Sequence, residues 1–339
     1  MAYKKIKIAN LLSEFAASEN ASDNVAQNAN SRAFKVLMNA LGVSMKEAQR
    51  LIDKGRLFCN GEVVSAKNEI LRGEIELISY ENAPRGQKPI FDNQNFAVFD
   101  KQSGILSHPN GRNCAYSLCD EIWHLYGAQA GVAHRLDRET SGLILVAKDK
   151  KTQTIFKTLF EKRLVKKEYL ALVSGQTPLE FRVDLPMNSA CDEVKTRMRL
   201  CPLSEGGKEA RTEFERLCYF SEQDLLNLSR EIQLSKGFDF SKGASLLLAR
   251  PLTGRQHQIR LHLFASGFAI LGEPLYGLAK ADIERILDKQ MSVAERVSLT
   301  GATRLCLHSN RLAFEFGGKS YDIFSQRDIR AEFLRALSL

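Results

Sequence analysis

The chain has 339 residues, of which 44% are hydrophobic and 26% are charged, as is ordinary for a globular protein. A single core rarely grows beyond about 250–300 residues, so the length predicts two domains or one large domain. No apolar run approaches the roughly 20 residues of a membrane-spanning helix, which excludes a protein of that class. Lysine and arginine total 48 against 40 acidic residues, and the net charge of +8 favours a polyanionic partner such as nucleic acid.

The histidine and cysteine patterns indicate neither a metal nor a disulfide framework. The seven cysteines include no Cys-x-x-Cys pair, and the six histidines form no cluster with zinc spacing. The sequence also lacks the glycine-rich phosphate loops of dinucleotide enzymes and ATPases and the Gly-x-Ser-x-Gly elbow of serine hydrolases. We therefore expect no cofactor and no metal. Because the N-terminus has no apolar signal-peptide core, we expect a cytoplasmic location.

The N-terminal part predicts a flexible connector followed by a small domain. Residues 16–30 are small, polar and poor in core-forming side chains, so we expect a short N-terminal segment, this connector, and ordered structure from about Ser31. Periodicity and turn residues then predict four elements: a helix that ends at Gly42, a helix capped by Ser44, a hairpin that turns at Asn60-Gly61, and a strand over 74–78.

Basic residues lie on these two helices and on the turn that follows them: Arg32, Lys35, Lys46, Arg50, Lys54 and Arg56. Such charges fit an ordinary solvated surface, but this order of elements resembles the small S4-like RNA-binding module, which is named after a ribosomal protein. The resemblance covers about residues 31–80 and implies an α/β domain, predicted over 31–83, whose basic side chains bind RNA. Two positions depart from the module. The module often has arginine at the start of its second helix, where this chain has Ser44-Met45-Lys46. It often has aspartate after its last glycine, where this chain has Glu74.

A larger domain is predicted after this module. Residues 81–90 contain two prolines and a glycine without apolar periodicity, which places a boundary near residue 84. Beyond it, strands first alternate with amphipathic helices and later follow one another, including separate strands over 304–308 and 312–316. We therefore predict an α+β domain over 84–339 around a mixed sheet. Two segments of helical composition, 219–243 and 278–300, are interpreted as surface insertions.

Polar residues crowd the turn before one predicted buried strand. Within residues 131–149, His134-Arg135-Leu136-Asp137-Arg138 is followed by Thr140-Ser141-Gly142 and then by an apolar run. A solvated loop with a surface salt bridge would explain the charges. It would not explain why a histidine, a threonine and a serine share the same turn, so we interpret the segment as a functional site.

A second polar segment lies within residues 250–277. There Thr253-Gly254 turns into Arg255-Gln256-His257-Gln258-Ile259-Arg260, and we expect a helix from Gln256. An arginine beside an isolated aspartate lowers the pKa of its carboxyl and keeps it ionised. A nucleophile or a base requires that ionised state.

Together the segments resemble the RluA-type family of RNA pseudouridine synthases. Four matches occur in family order: residues 100–111 (DKQSGILSHPNG), residues 134–142, Lys167-Glu168-Tyr169-Leu170-Ala171, and residues 253–260. The resemblance spans about 90–325 and implies the pseudouridine synthase fold, with a largely antiparallel mixed sheet and a central cleft. Two positions depart from the family: Gln102, where proline is common, and Gln256, where threonine or serine is usual.

The resemblance also implies roles for individual residues. Asp137 would be the catalytic aspartate, Tyr169 the aromatic residue against the target base, and Arg260 the arginine paired with the aspartate. Arg135 would hold the position of the displaced nucleotide. The expected RNA-binding site further includes the residues His134, Thr140, Arg255 and His257, with the two histidines as hydrogen-bonded architecture.

The chemistry of uridine isomerisation agrees with these residues. It requires cleavage of the bond from ribose to nitrogen, rotation of the uracil and a new bond to carbon 5, without oxidation, metal or nucleotide cofactor. One ionised carboxylate suffices, whether it attacks the sugar or the base or removes a proton from the ribose. The resemblance thus implies an isomerase that acts on selected uridines of RNA. Because the appended module is typical of the ribosomal members, we expect large-subunit ribosomal RNA as the substrate, and we expect a monomer.

Other interpretations remain open at this point. The same chemistry acts on transfer RNA, and a non-catalytic RNA-binding ribosome assembly factor would share the fold but not need Asp137 and Arg260. A hydrolase that cleaves nucleosides in the manner of a glycosidase would need a second carboxylate opposite Asp137. Glu139 is the nearby candidate.

Overall fold

The computed structural model describes residues 3–8, 32–80, 83–109, 114–190, 197–232 and 238–338, and the predicted connector over 16–30 lies outside them. The chain divides into two compact units. The first comprises Met1–Pro84 and Pro109–Tyr116, and the second comprises Arg85–His108 and Ser117–Leu339. No helix in the described part of the chain is long and apolar enough to cross a membrane.

The helices and strands are bounded as follows. The α-helices are α1 Ala33–Leu41, α2 Met45–Asp53, α3 Leu118–Tyr126, α4 Lys150–Glu161, α5 Glu222–Ile232, α6 Gln258–Ala265, α7 Lys280–Leu287, α8 Val293–Thr300 and α9 Ile329–Ala336. The strands are β1 Tyr3–Lys7, β2 Leu57–Cys59, β3 Glu62–Val63, β4 Ile75–Tyr80, β5 Phe91–Asp92, β6 Phe96–Lys101, β7 Gly131–Val132, β8 Ser141–Ala147, β9 Lys166–Ser174, β10 Glu180–Val183, β11 Met187–Ser189, β12 Met198–Leu200, β13 Thr212–Phe220, β14 Ala244–Pro251, β15 Leu307–Phe316 and β16 Lys319–Phe324.

The first unit contains the predicted helix pair, hairpin and closing strand. Helix α1 ends at Gly42, whose φ of 61° is the left-handed conformation that glycine adopts most easily. Helix α2 begins with a capping box, in which Ser44 accepts from the Glu47 amide while the Glu47 carboxylate accepts from the Ser44 amide. The hairpin of β2 and β3 turns at Asn60 and Gly61. The sequence prediction of these elements is confirmed.

The expectation that order begins near Ser31 is wrong. Residues Tyr3–Lys7 form β1, which pairs antiparallel with β4 in a sheet of order β1-β4-β2-β3. Lys5 lies 2.7 Å from Glu76 and Lys7 lies 2.6 Å from Glu74. Ile8 is buried in the same hydrophobic core as the apolar side chains of α1. The strand pairs residues about 70 positions apart through its backbone, and opposite charges face each other across the two strands.

The second unit is built on a mixed, largely antiparallel sheet, as predicted. Its strand order is β10-β13-β14-β9-β15-β8-β6-β5, with β16 on β15 and β7 on β8. Strand β15 pairs parallel with β8 and antiparallel with β9, and the remaining pairs among the described strands are antiparallel. The two strands expected over 304–308 and 312–316 are one strand, β15, with a register shift between Ser309 and Arg311.

The two segments interpreted as surface insertions contribute to the core. Helix α5 lies in the first segment, and α7 and α8 lie in the second. Each helix buries one apolar side chain completely, namely Leu225, Ile283 and Val297. The sequence showed their helical composition, but not which neighbours would cover their apolar sides.

A close approach between β8 and β15 positions the loop that precedes β8. Gly142 has a φ of 109°, and a Cβ atom there would lie 2.3 Å from the carbonyl oxygen of Ser309. Only glycine fits this backbone conformation and this spacing. The end of the loop is thereby fixed beside β15 and, through β15, beside β9.

Candidate active site

Asp137 lies in the loop between β7 and β8, and hydrogen bonds hold the backbone on both sides of it. The Ser107 hydroxyl donates to the Leu136 carbonyl oxygen at 2.8 Å and accepts from the Leu136 amide at 3.1 Å. The Lys101 ammonium donates to the Arg138 carbonyl oxygen at 3.2 Å. The loop can therefore present its carboxylate in one position, as a reacting group requires.

Lys101 is fully buried at the end of β6 and was not among the predicted site residues. Besides Arg138, its ammonium donates to the carbonyl oxygens of Gln102 at 3.0 Å and Ile105 at 2.8 Å. Burial lowers the pKa of Lys101 to about 7, although two nearby carboxylates act in the opposite direction. All three of its N–H groups have acceptors, so Lys101 acts as a link between two loops.

Helix α6 carries Arg260 but begins at Gln258, two residues later than expected. His257, with a φ of 55°, precedes the helix in the left-handed conformation. The Gln258 side-chain oxygen accepts from the Thr253 hydroxyl at 2.6 Å and from the Arg255 amide at 3.0 Å. These bonds close residues 253–258 into a turn, which competes with an earlier start of the helix.

Arg260 is buried between two carboxylates. Its Nη1 donates to Asp137 Oδ2 at 2.9 Å. On its other side, Nε and Nη2 donate to the two oxygens of Glu273 at 2.8 and 2.6 Å, which is a bidentate pair. The side chains of Arg260 and Glu273 are 3% and 4% exposed, whereas that of Asp137 is 28% exposed. The guanidinium is thus anchored by Glu273 and leaves Asp137 partly accessible.

The charge of Arg260 keeps Asp137 ionised. Burial alone would raise the pKa of the Asp137 carboxyl, but the charged side chains around it, with Arg260 in a direct hydrogen bond, outweigh this effect and hold the pKa below its ordinary value. Burial also lowers the pKa of His257 to about 4, so this imidazole is neutral at neutral pH. Arg260 therefore supplies the positive charge there.

His257 and Tyr276 form the side of the site next to this ion pair. The Nε2 atom of His257 lies 3.6 Å from Asp137 Oδ2, and its Nδ1 is hydrogen-bonded to the Tyr276 hydroxyl at 3.1 Å. The same hydroxyl accepts from the Met198 amide at 3.3 Å. His257 is thus a fixed, hydrogen-bonded part of the site, in line with the sequence interpretation.

Tyr169 lies on β9 within electrostatic reach of Asp137. It is 9% exposed and pairs across the strands with Ser309 of β15. Burial raises the pKa of its phenol to about 12, a hydrogen bond with Ser309 acts in the opposite direction, and the charge of Asp137 adds a smaller increase. The phenol is therefore neutral and keeps its proton at neutral pH.

The other residues predicted from the larger domain have different environments. Arg135 is exposed, and Thr140 is buried. The Leu145 amide donates to Nε2 of His134 at 3.1 Å, and burial lowers the pKa of this histidine to about 3. Arg255 donates from Nε to the Glu209 carbonyl oxygen at 3.0 Å. His134 is therefore a structural residue, while Arg135 is open to solvent.

Glu139 does not provide the second carboxylate of a glycosidase. Its side chain lies 2.8 Å from Arg296 and 3.7 Å from Arg138. Burial would raise the pKa of Glu139, but these arginines lower it below the ordinary value. A general acid must be protonated, so an ionised, doubly paired Glu139 does not fit that role.

The basic residues predicted from the first unit lie at its surface. Arg32, Lys35, Lys46, Arg50 and Lys54 are exposed, and Arg56 is half-buried. Burial lowers the pKa of Lys54, and the charges of Arg50 and Arg56 lower it further. These three cations therefore lie close enough to repel one another, and such a cluster attracts anions.

Two residues of this site, Glu273 and Tyr276, are missing from the sequence prediction, although they lie in the segment 250–277. The signal available was the pair Gly272-Glu273 after an apolar run. Gly272 has a φ of 79°, and a Cβ there would lie 1.8 Å from the Arg304 carbonyl oxygen. The sequence cannot show that this glycine turn aims Glu273 at Arg260.

Comparisons with known proteins converge on one kind of enzyme. Residues 95–265 match the family described as RNA pseudouridylate synthase. An uncharacterized RNA pseudouridine synthase of Helicobacter pylori is 35% identical over 91% of this chain and 94% of that protein. The ribosomal large subunit pseudouridine synthase D of Nitrosomonas europaea is 32% identical over 58% of this chain and 51% of that protein.

A solved structure shows the same fold. Human RNA pseudouridylate synthase domain containing 1 superimposes with a TM-score of 0.52 at 20% identity, over 71% of this chain and 83% of that chain. At this identity the likeness concerns the fold alone.

Replacement of Glu273 by glutamine should destabilise the protein by about 3 kcal/mol, because Arg260 would lose its bidentate partner inside the protein. Chemical unfolding measures this change. The control is Glu161→Gln, which removes a 63% exposed carboxylate 3.8 Å from Lys157 and should cost less than about 0.5 kcal/mol. Equal losses in the two variants would contradict a structural role for the buried pair.

Proposed function

The chain belongs to the RNA pseudouridylate synthase family, and we propose that it converts uridines of large-subunit ribosomal RNA to pseudouridine with Asp137 as the catalytic residue. It is thus an isomerase that acts on RNA. The observation that carries the assignment of Asp137 is its carboxylate, which is ionised, 28% exposed and 2.9 Å from a buried arginine.

The reaction is an isomerisation, so every atom of uridine is kept. The bond between ribose carbon 1′ and uracil nitrogen 1 breaks, a bond from carbon 1′ to carbon 5 forms, and the proton of carbon 5 is replaced by one on nitrogen 1. Asp137 serves either as a nucleophile toward the sugar or the base, or as a base toward the ribose. Arg260 stabilises the carboxylate whenever it is regenerated as an anion.

Tyr169 is proposed to contact the target base. The charge of Asp137 acts on its phenol, and an aromatic ring can stack on a uracil that has left its helix. Because its phenol is neutral, it can also donate a hydrogen bond without adding a second negative charge. Arg135, exposed beside Asp137, is proposed to occupy the place that the displaced nucleotide leaves in the RNA.

Three observations support an RNA substrate from the ribosome. The chain has a net charge of +8, its first unit has the predicted order of elements with exposed basic residues, and one relative is named for the large ribosomal subunit. We further propose that the first unit is an RNA-binding module of the S4-like type. A cytoplasmic monomer without cofactor or metal remains part of this proposal.

The substrate is tested by mapping pseudouridine across all RNA in a strain that lacks the gene. We expect specific positions of large-subunit ribosomal RNA to lose the modification and to regain it with the wild-type gene but not with Asp137→Asn. The control variant is Asp282→Asn, a partly exposed aspartate 3.9 Å from Arg285, which should restore the modification. Losses confined to transfer RNA would contradict the ribosomal substrate but not the isomerase.

A second prediction concerns the first unit. Combined replacement of Arg50, Lys54 and Arg56 by glutamine should weaken RNA binding. It should also make the plot of log affinity against log salt shallower by about 2–3, because fewer counterions are released from the RNA when fewer phosphates are contacted. The turnover number at saturating RNA should stay unchanged. The control replaces Lys88, Lys319 and Arg335, exposed residues of the second unit, with the same change in net charge. Equal effects of both triple variants would contradict an RNA-binding module.

A further inference from the structure

Lys167 lies two residues before Tyr169 on β9, so strand alternation places both side chains on the same face. The intervening Glu168 points to the opposite face. There it is held by Arg250 at 3.2 Å and Arg311 at 3.1 Å. The carboxylate nearest to Lys167 along the strand is thus directed away from it and is already paired.

The ammonium of Lys167 has few partners inside the protein. It donates to the carbonyl oxygen of Thr253 across a distance of 3.4 Å, and it forms no ion pair with any residue that the structure describes. A Cβ atom on Gly254 would lie 3.5 Å from this ammonium, and Gly254 is exposed. The exposed backbone of the turn, without a side chain, therefore lies next to Lys167.

Comparison with Lys101 shows what is unusual here. Lys101 uses all of its N–H groups on carbonyl oxygens, whereas Lys167 uses one in a long contact. Burial lowers the pKa of Lys167 to about 8, and no carboxylate offsets this effect. An ammonium that is half-buried without a counter-ion is costly, and a bound anion removes that cost.

The position of Lys167 fits one anion in particular. Two residues along a strand span about 6.6 Å, which is the separation of the Cα atoms of Lys167 and Tyr169, the residue proposed to contact the target base. A nucleotide whose base lies on Tyr169 carries its sugar and phosphates outward from that ring. Lysine binds phosphate as a point charge, without the fixed geometry that arginine needs.

We propose that Lys167 binds a backbone phosphate of the RNA beside the target uridine, and that Gly254 leaves the space that the phosphate occupies. This inference rests on the proposed function, because it takes the base on Tyr169 as its reference. It adds a substrate-binding residue and a turn to the site. Neither residue touches Asp137 or Arg260, so the chemistry of the carboxylate is left to those groups.

The test compares wild-type protein with Lys167→Gln, Lys167→Arg and Lys166→Gln. Lys166 is exposed and points to the other face, so its replacement matches the change in charge. The probe is total RNA from a strain that lacks the gene, labelled with tritium at carbon 5 of uridine, whose release reports turnover. KM, kcat and their dependence on salt are measured for each protein, and thermal unfolding checks the fold.

Lys167→Gln should raise KM about 5- to 10-fold and make the plot of log(kcat/KM) against log salt shallower by about 0.7–1, while kcat changes less than about twofold. Lys167→Arg should keep most of the salt dependence, and Lys166→Gln should resemble the wild type. An unchanged salt slope in Lys167→Gln, or a collapse of kcat at constant KM, would overturn the proposal, because a residue that only supports the turn at Thr253 would act in that way.

This experiment is independent of the class of RNA. Separating the labelled RNA into ribosomal and transfer fractions shows which one releases tritium, and that result decides the proposed substrate. The effect of Lys167 is then read on whichever fraction is active. Addition of inorganic phosphate at high concentration to the wild-type protein provides a further check, since it should raise KM for RNA more strongly in wild type than in Lys167→Gln.

Discussion

The buried guanidinium of Arg260, shared between Asp137 and Glu273, is the interaction on which the rest of the site depends. The two carboxylates use it differently. Glu273 accepts hydrogen bonds from two N–H groups of Arg260, one on each of its carboxylate oxygens, and Asp137 accepts one on Oδ2. Glu273 therefore fixes the direction of the arginine, and the other oxygen of Asp137, Oδ1, has no protein partner among the described residues. We propose that this oxygen is the one that reacts.

The elements around this interaction serve to keep it in place. The Gln258 side chain closes the turn before α6 and so sets the first residue of the helix that carries Arg260. Lys101 and Ser107 hold the backbone beside Asp137 from the opposite side. Gly142 and Gly272 allow backbone approaches that any side chain would block. A displacement of about 1 Å in one of these elements is enough to lower catalysis strongly.

The sequence predicted much of this arrangement because short motifs carry local information. The order of elements in the first unit, the mixed sheet, and the pairing of Arg260 with Asp137 were all accessible from residue patterns and family resemblance. The pairing of β1 with β4 was not, because the paired residues lie about 70 positions apart in the sequence and meet only after folding. Glu273 was missed for the same reason: its partner lies 13 residues away, and only the turn at Gly272 brings them together.

The central claim is that Arg260 keeps the partly accessible Asp137 ionised. Its most direct test is the titration of the Asp137 carboxyl carbon by NMR, in protein labelled with carbon-13 in aspartate and assigned by comparison with Asp137→Asn. The ordinary aspartate pKa is about 3.9, so from about pH 7 down to about pH 4.5 the signal should stay at the position of an ionised carboxylate. Protonation of Asp137 centred above about pH 5 would mean that burial outweighs the arginine, and it would contradict the account.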